Sequence, residues 1–173
     1  MSQLHQMQLT FVPEEDRLLF RVNTSGRQRA EFRFWMTRRY VTILWDALLN
    51  MLKNHKPGEE PEPEADPKPE ELVQEHQEMV EKADFQTEYQ ESSVFPLGEQ
   101  PILLAKVGLG SNPQGVPILS MQPQNGQGIE FSLNRHILHS FCKLLVESTQ
   151  KADWKLNLDF GQAEDLMSNL GLN

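Results

Sequence analysis

The chain has 173 residues, 38% hydrophobic residues, one cysteine and a formal net charge of −9 at pH 7. This length allows one domain or two very small ones, and the lone Cys142 excludes an intrachain disulfide and a cysteine-rich zinc site. Because no stretch approaches the ~18 uninterrupted apolar residues of a membrane span and no signal-peptide pattern opens the chain, we expect a cytoplasmic protein without a membrane partner.

The first half of the chain predicts three short strands and a helix. Apolar residues alternate at period two in residues 7–11, 18–22 and 30–36, which is typical of half-buried strands, and turn residues separate these runs. Thr37 is a typical helix N-cap, and the helix after it is predicted to reach about His55. Its polar residues form only a thin stripe, so we expect this helix to be buried on several sides.

A segment rich in proline and glutamate follows the first helix. Residues 56–69 contain five prolines among the glutamates, a composition that cannot build a core and favours an extended or disordered chain. Residues 70–83 are predicted to form an exposed helix with a weak apolar stripe, and residues 84–97 to be irregular or partly extended. We therefore expect residues 56–100 to be a flexible acidic linker between two folded parts.

The second half repeats the order of the first. It contains three further strand-like runs, at residues 102–109, 116–122 and 129–133. Asn134 is a second N-cap, and its helix is predicted to reach about Lys151. Beyond this helix, residues 155–160 are a candidate for an extra strand and residues 162–170 for a short terminal helix.

The strand-to-helix junctions of the two halves match without a gap. Residues 32–38 and 129–135 each contain three apolar residues at period two, then Thr or Asn, then Arg, then an apolar helix. This internal repeat predicts an α+β fold of two pseudo-symmetric βββα units, each an antiparallel meander followed by a helix. We expect the units at residues 1–55 and 101–173, with their helices packed together about a pseudo-twofold axis in one pseudo-dimeric domain.

The junction Gly128-Ile129-Glu130-Phe131-Ser132-Leu133-Asn134, with the helix after it, resembles that of the positive-cofactor, Whirly and Pur-alpha group of single-stranded nucleic-acid-binding domains. The unit of that group is a curved antiparallel meander followed by a helix, used as a dimer or a tandem repeat. The resemblance implies tandem meander-plus-helix units here and single-stranded nucleic acid as the ligand. Units of that group usually have four strands, whereas each half of this chain shows three.

The arginines are concentrated in one part of the chain. Seven of the eight lie between Arg17 and Arg39, with Glu31 as the only acid among them, and arginine suits contacts with phosphate or carboxylate. The candidate ligand-binding residues, most of them on the polar face of the first sheet, are Arg17, Arg21, Arg33, Trp35, Arg38 and Arg39. They could contact phosphates and stack bases. The alternative is a solvated sheet face on which arginine stems cover Leu19 and Trp35.

The acidity is concentrated in the linker. Residues 57–92 contain 13 acidic and two basic residues, whereas the rest of the chain contains 12 acidic and 14 basic residues. Two interpretations stay open: a solubilising linker, or a segment that lies over the arginines as an intramolecular competitor or recruits a basic partner.

No motif for catalysis or for a bound metal stands out. The chain contains no P-loop, no Gly-x-Ser-x-Gly and no His-Glu-x-x-His, so we expect no enzyme, no catalytic residue and no cofactor. His136, His139 and Cys142 have a metal-like spacing on a helix, but no further convergent ligand is evident. We expect surface histidines, a core cysteine and no metal.

The leading hypothesis is a non-enzymatic binding or adaptor protein with an anionic ligand, either single-stranded nucleic acid or an acidic protein segment. The alternative is a structural interaction module that dimerises through its apolar helices. A third alternative is an enzyme without a recognisable motif. Both a monomer with a pseudo-dimeric core and a homodimer remain open.

Overall fold

Along the chain, three strands are followed by two helices, then by four strands and a third helix. The computed structural model describes residues 4–25, 29–54, 68–90 and 92–161. Its strands are β1 (Leu4–Val12), β2 (Arg17–Thr24), β3 (Glu31–Met36), β4 (Ile102–Leu103), β5 (Lys106–Ser111), β6 (Pro117–Gln122) and β7 (Ile129–Ser132). Its helices are α1 (Arg38–Asn54), α2 (Pro69–Lys82) and α3 (Arg135–Ala152). The fold of these described residues is therefore α+β, with two small sheets and three helices.

Strands β1 to β4 form the first sheet in that order, and β5, β6 and β7 form the second. All neighbours are antiparallel except β3 and β4, which are parallel. The period-two pattern sets the faces of the first sheet, since Phe20 lies opposite Phe34 on the buried face and Arg21 lies opposite Arg33 on the other. The alternation predicted for the first three strands is confirmed.

One predicted strand, residues 102–109, is two strands in the structure. The chain passes from the first sheet to the second between β4 and β5. Leu104 is buried at this crossing and donates its N–H to the carbonyl of Trp35 at 3.0 Å, whereas Ala105 donates to Gln122 at 2.9 Å. Because consecutive N–H groups bond to different sheets, the run cannot stay one strand, and its first part gives the first sheet a fourth strand.

Both long helices begin where the sequence predicts. The hydroxyl of Thr37 accepts a hydrogen bond from the N–H of Tyr40 at 3.2 Å, and the side chain of Asn134 accepts one from Ile137 at 2.9 Å. Each cap satisfies a backbone donor that the helix itself leaves without a partner. The predicted N-caps are confirmed.

Each long helix packs against the first strand of the other sheet. α3 contacts β1, α1 contacts β5, and the two helices contact each other. Phe20 of β2 stacks on Phe141 of α3 with ring centroids 5.1 Å apart, and the hydroxyl of Tyr40 donates to the carbonyl of Lys106 at 3.2 Å. One hydrophobic core therefore joins both sheets. The second partner expected for the apolar helix α1 lies within the chain itself.

The exposed stripe of α1 differs slightly from the predicted one. Thr42, Asp46 and Asn50 are exposed as expected, but Ile43 is also 41% exposed. The helix is otherwise covered on several sides, as the sequence predicts. No helix in the described part of the chain is both long and apolar enough to cross a membrane.

Helix α2 packs on α3, although the sequence suggests an exposed helix at residues 70–83. Its Leu72 is completely buried, and α2 contacts α3. Besides Leu72, charged contacts such as that between Glu75 and Arg135 of α3 hold this helix. A weak apolar stripe is therefore enough to dock α2.

The strand predicted at residues 155–160 is absent from the described structure. Asp153 and Lys155 have φ angles of 53° and 57°, which lie outside the β region. The segment is held instead by side chains, since Trp154 and Phe160 are buried and the indole N–H of Trp45 donates to the carbonyl of Asp159 at 3.0 Å. The terminal helix predicted at residues 162–170 and residues 56–67 of the linker lie outside the described residues.

Candidate functional site

The candidate arginines fall into two groups. Arg17, Arg21, Arg33 and Trp35 are half-buried on one face of β2 and β3, here called the arginine face. Arg38 and Arg39 are exposed on the first turn of α1, which contains no acid. The structure thus brings four of the six candidate residues together and places the other two at the positive end of a helix.

Each arginine of the arginine face is stacked on an aromatic ring. The guanidinium carbon of Arg17 lies 4.5 Å from the ring centroid of Trp35, and those of Arg21 and Arg33 lie 4.6 Å and 4.7 Å from Tyr89 and Phe95. Such cation–π contacts are favourable when they are partly desolvated. The arginines are therefore already engaged with rings of the chain itself.

Hydrogen bonds complete these arginine contacts. Arg17 pairs with Glu15 at 2.7 Å, Arg21 donates to the side chain of Gln8, and Arg33 pairs with Glu31 at 2.6 Å. The side chain of Glu31 is completely buried, so Arg33 balances a charge that would otherwise be costly to bury.

Residues 88–90 and 92–99, here called the strap, cover part of the arginine face. The strap contributes Tyr89 and Phe95, and its Val94 carbonyl accepts the N–H of Glu31 at 2.8 Å. Asn23, which is also completely buried, donates its amide to the carbonyl of Gln90 at 3.0 Å. The end of the linker therefore lies over the arginines, with rings and backbone carbonyls as its contacts.

Tyr89 fixes the strap to the buried carboxylate. Its hydroxyl donates to Glu31 at 2.9 Å. Burial raises the pKa of Tyr89 well above its usual value, and the hydrogen bond to Glu31 raises it further. The phenol thus stays protonated at neutral pH and remains a hydrogen-bond donor.

A cleft of about 950 Å³ lies at the β1 edge of the first sheet. Its floor is β1, one wall is the stretch 83–90, and the other wall is the first half of α3. Within the described residues β1 pairs only with β2, so its outer edge is free. This space is called the β1–α3 cleft below.

The two walls of the β1–α3 cleft differ in chemistry. On the α3 side, the apolar Ile137 and Leu144 line the cleft together with the polar His136 and Ser140. β1 contributes the apolar Met7 and Leu9, whose partners in β2 are core residues. On the other side the lining is mostly polar: Gln6, Gln8, Arg21, Asp84, Gln86, Thr87, Glu88 and Gln90. The α3 side of the cleft is therefore mixed, with its apolar residues at Ile137 and Leu144, and the other side is mostly polar.

The polar wall is tied to the floor through Gln6. Its amide nitrogen donates to the carbonyl of Glu88 at 3.1 Å, and its amide oxygen accepts the N–H of Gln90 at 3.0 Å. On the opposite side, the ammonium of Lys143 lies 3.9 Å from the ring centroid of Phe85. These contacts hold the stretch 83–90 at a fixed distance from β1 and α3.

A cluster of charged and titratable side chains joins α2 to α3. Arg135 forms two hydrogen bonds with the carboxylate of Glu75, of which that between Nη2 and Oε2 is 2.6 Å. The Nδ1 atoms of His76 and His139 lie 2.9 Å apart, and Nε2 of His139 lies 3.4 Å from Oε1 of Glu75. Sequence reasoning missed this cluster, although Arg135 is the one arginine outside residues 17–39.

The prediction of a surface histidine is wrong for His139, whose side chain is completely buried. Its helix face is polar in sequence, but α2 covers that face. His136, one turn earlier, is exposed as expected. Burial lowers the pKa of His139, and it lowers that of His76 to about 4, with His139 itself as a further cause for His76.

The third residue of the metal-like spacing lies in the core. Cys142 is completely buried, and burial raises the pKa of its thiol, which disfavours the nucleophilic thiolate. In the described parts of the chain, no three His, Cys, Asp or Glu side chains are grouped so that they could hold a metal ion.

No protein-family model, no curated protein and no solved structure matches this chain. The fold class therefore rests on the structure alone, and the resemblance to the single-stranded nucleic-acid-binding group stays a prediction.

Proposed function

We propose that this chain is a non-enzymatic binding protein that takes an extended segment of a partner polypeptide along the free edge of β1. The observation that carries this proposal is the β1–α3 cleft of about 950 Å³, whose floor is a strand edge. Every second residue of an edge strand offers its N–H and C=O to a new strand. Strand addition beside a helix is an established mode of peptide recognition.

The two walls define the kind of segment that fits. Side chains of an added strand point alternately to the two sides of the sheet. One set would meet Ile137 and Leu144 of α3, and the other set would meet the polar stretch 83–90. The expected ligand is therefore an extended peptide with apolar residues at every second position and polar residues between them.

Filling the cleft tests this function. The probe is a fluorescein-labelled peptide of alternating Val and Thr, with terminal lysines for solubility. Because Ser140 of α3 lines the cleft, Ser140→Tyr is expected to weaken binding of this peptide by at least about tenfold. Gln150→Tyr, on an exposed position of the same helix, is the matched control and should bind like the wild type. Fluorescence anisotropy measures both affinities.

A peptide with proline at its central position provides a second control, because proline cannot complete the strand ladder. Backbone amide shifts confined to β1 and the cleft walls are expected when the alternating peptide is added. Equal binding of the alternating and proline peptides, or no shift in β1 at millimolar peptide, would contradict strand addition.

We also propose that the two strand–helix units are related by a pseudo-twofold axis. The reciprocal packing of α3 on β1 and of α1 on β5 supports this relation. So does the agreement between the two capped junctions at Thr37 and Asn134. On this proposal the chain carries both halves of a dimer-like core.

A second candidate function is binding of an anionic ligand on the arginine face, with single-stranded nucleic acid as the probe. The clustering of Arg17, Arg21 and Arg33 beside Trp35 favours it. A ligand that stacks there must first displace Tyr89 and Phe95 of the strap. The strap would then act as the intramolecular competitor.

Removal of the two strap rings tests the anionic-ligand candidate. The double variant Tyr89→Ala/Phe95→Ala is expected to bind a labelled single-stranded oligonucleotide several-fold more tightly than the wild type at ~50 mM salt, and to lose this binding at higher salt. Adding Arg33→Gln to the double variant should remove the gain. If neither protein shifts the oligonucleotide at ~50 mM salt, this function is excluded.

A further inference from the structure

We infer that His76 and His139 form a pH-sensitive latch, which holds α2 against α3 at neutral pH and releases α2 when both rings are protonated. The two Nδ1 atoms lie 2.9 Å apart, which is a hydrogen-bond distance. Such a contact needs one proton between two ring nitrogens, because one nitrogen must donate and the other must accept. Two protonated rings would bring two N–H groups and two positive charges together.

The surroundings of the histidine pair tolerate one added charge but not two. From α2, the Glu75 carboxylate lies 3.4 Å from Nε2 of His139. From α3, Arg135 already pairs with that carboxylate, and His136 and Lys143 add further positive or titratable groups. The first proton on the pair can be balanced by Glu75, whereas the second has no carboxylate of its own in this cluster.

Burial makes the second charge more costly to place. The side chain of His139 is completely buried, and its Nε2 atom has no hydrogen-bond partner among the described residues. The ring of Phe160 packs against both histidines, with its centroid 4.9 Å from that of His76 and 6.4 Å from that of His139. An uncompensated charge in such surroundings is relieved by separating the two rings, which here means separating the two helices.

The direction of the pH effect follows from linkage. The pKa values of both histidines are lower in the folded chain than in a released, solvated one, and that of His76 is about 4. The released state therefore binds more protons, and docking of α2 weakens as the pH falls from about 6.5 towards about 4. Uptake of one extra proton changes the docking equilibrium about tenfold per pH unit in this range.

Release of α2 has a consequence for the β1–α3 cleft. α2 ends at Lys82, and the next residues, 83–90, form the polar wall of the cleft. The end of this wall is fixed by Gln6 and Tyr89, so release would loosen its first part, around Phe85. This step rests on the proposed function, whereas the latch itself does not.

Hydrogen exchange on the full-length chain tests the latch without any ligand. The protection factors of α2 amides, corrected for the intrinsic pH dependence of exchange, are expected to fall about tenfold per pH unit between pH 6.5 and 4.5. Those of β2, which lies between β1 and β3 in the first sheet, should change much less. His76→Gln keeps a donor for His139 but removes one of the two titrating rings, so its α2 protection should depend on pH less steeply than that of the wild type.

Two further measurements keep the test decisive. His136→Gln removes an exposed histidine of the same helix and should retain the wild-type pH dependence. If His76→Gln does not fold, His76→Phe and a titration of the wild-type histidine ring protons replace it, with one ring expected to titrate near pH 4.

Unchanged α2 protection down to pH 4.5, or the same pH dependence in His76→Gln, would overturn the latch. If α2 is released but the affinity of the alternating peptide is the same at pH 7 and pH 5, the link to the cleft is overturned. Absence of peptide binding at every pH would count against the proposed function and leave the latch standing.

Discussion

Gly128→Ala is expected to destabilise the fold by about 3 kcal/mol or more, because the added methyl group would overlap backbone atoms that cannot move aside. A Cβ at this position would lie 2.0 Å from the carbonyl oxygen of Met121 and 2.7 Å from Cα of Gln122. Both are backbone atoms of β6 and its end, so no side-chain rotation can relieve the clash. Gly128 directly precedes β7, and the variant should therefore separate β7 from β6.

Chemical denaturation checks this prediction, and the chain offers a matched control. Gly110→Ala lies in β5, where an added Cβ meets nothing within 4 Å, and its effect should stay within about 0.5 kcal/mol. A shift of the denaturation midpoint at unchanged m-value is expected for Gly128→Ala alone. Similar midpoints for the two variants would show that the approach of residue 128 to β6 is wrong.

The features predicted correctly from the sequence are those that depend on neighbours in the chain. Alternation at period two fixes the faces of β2 and β3, because it needs only the geometry of a strand. Thr37 and Asn134 cap their helices through residues three positions later. Such local rules hold wherever the rest of the chain goes.

The features that the sequence does not reveal depend on distant contacts. The run at residues 102–109 is uniformly strand-like, and only the contacts of Leu104 with Trp35 and of Ala105 with Gln122 divide it. His139 lies on a polar helix face that is buried because α2 docks there and Phe160 packs against it.

The candidate site illustrates the same limit. The clustering of Arg17, Arg21 and Arg33 on one face follows from alternation, but their stacking on rings of the strap does not. Likewise, the free edge of β1 becomes a cleft only because residues 83–90 and α3 lie on its two sides. Composition identifies the linker as acidic and polar, and its aromatic residues make the contacts.

Arg135→Met is expected to destabilise the fold by about 2–3 kcal/mol, because it leaves the Glu75 carboxylate without its cation. Arg135 is buried, and besides pairing with Glu75 it donates to the carbonyl of Leu52, at the end of α1, at 3.2 Å. One guanidinium thus joins all three helices. Arg17→Met removes the more exposed pair with Glu15 and should cost less than about 1 kcal/mol.

The loss should also depend on pH. Burial acts to raise the pKa of Glu75, but Arg135 and His139 outweigh it and hold this pKa below its usual value. A carboxyl group whose pKa is lower in the folded state stabilises that state at pH values above its pKa in the unfolded chain. This stabilisation is lost as the pH falls through the pKa of the folded state. The difference between wild type and Arg135→Met should therefore be full at pH 7 and shrink in acid.

A double-mutant cycle separates the pair from the packing of the arginine stem. Glu75→Gln and Arg135→Met should together destabilise less than the sum of their separate effects, since each alone leaves a partner without its counter-charge. Additive effects would mean that Arg135 acts through its packing and its bond to Leu52 only. In that case α2 would be held by Leu72 and the histidine pair, and Glu75→Gln should weaken the protection of α2 amides only slightly.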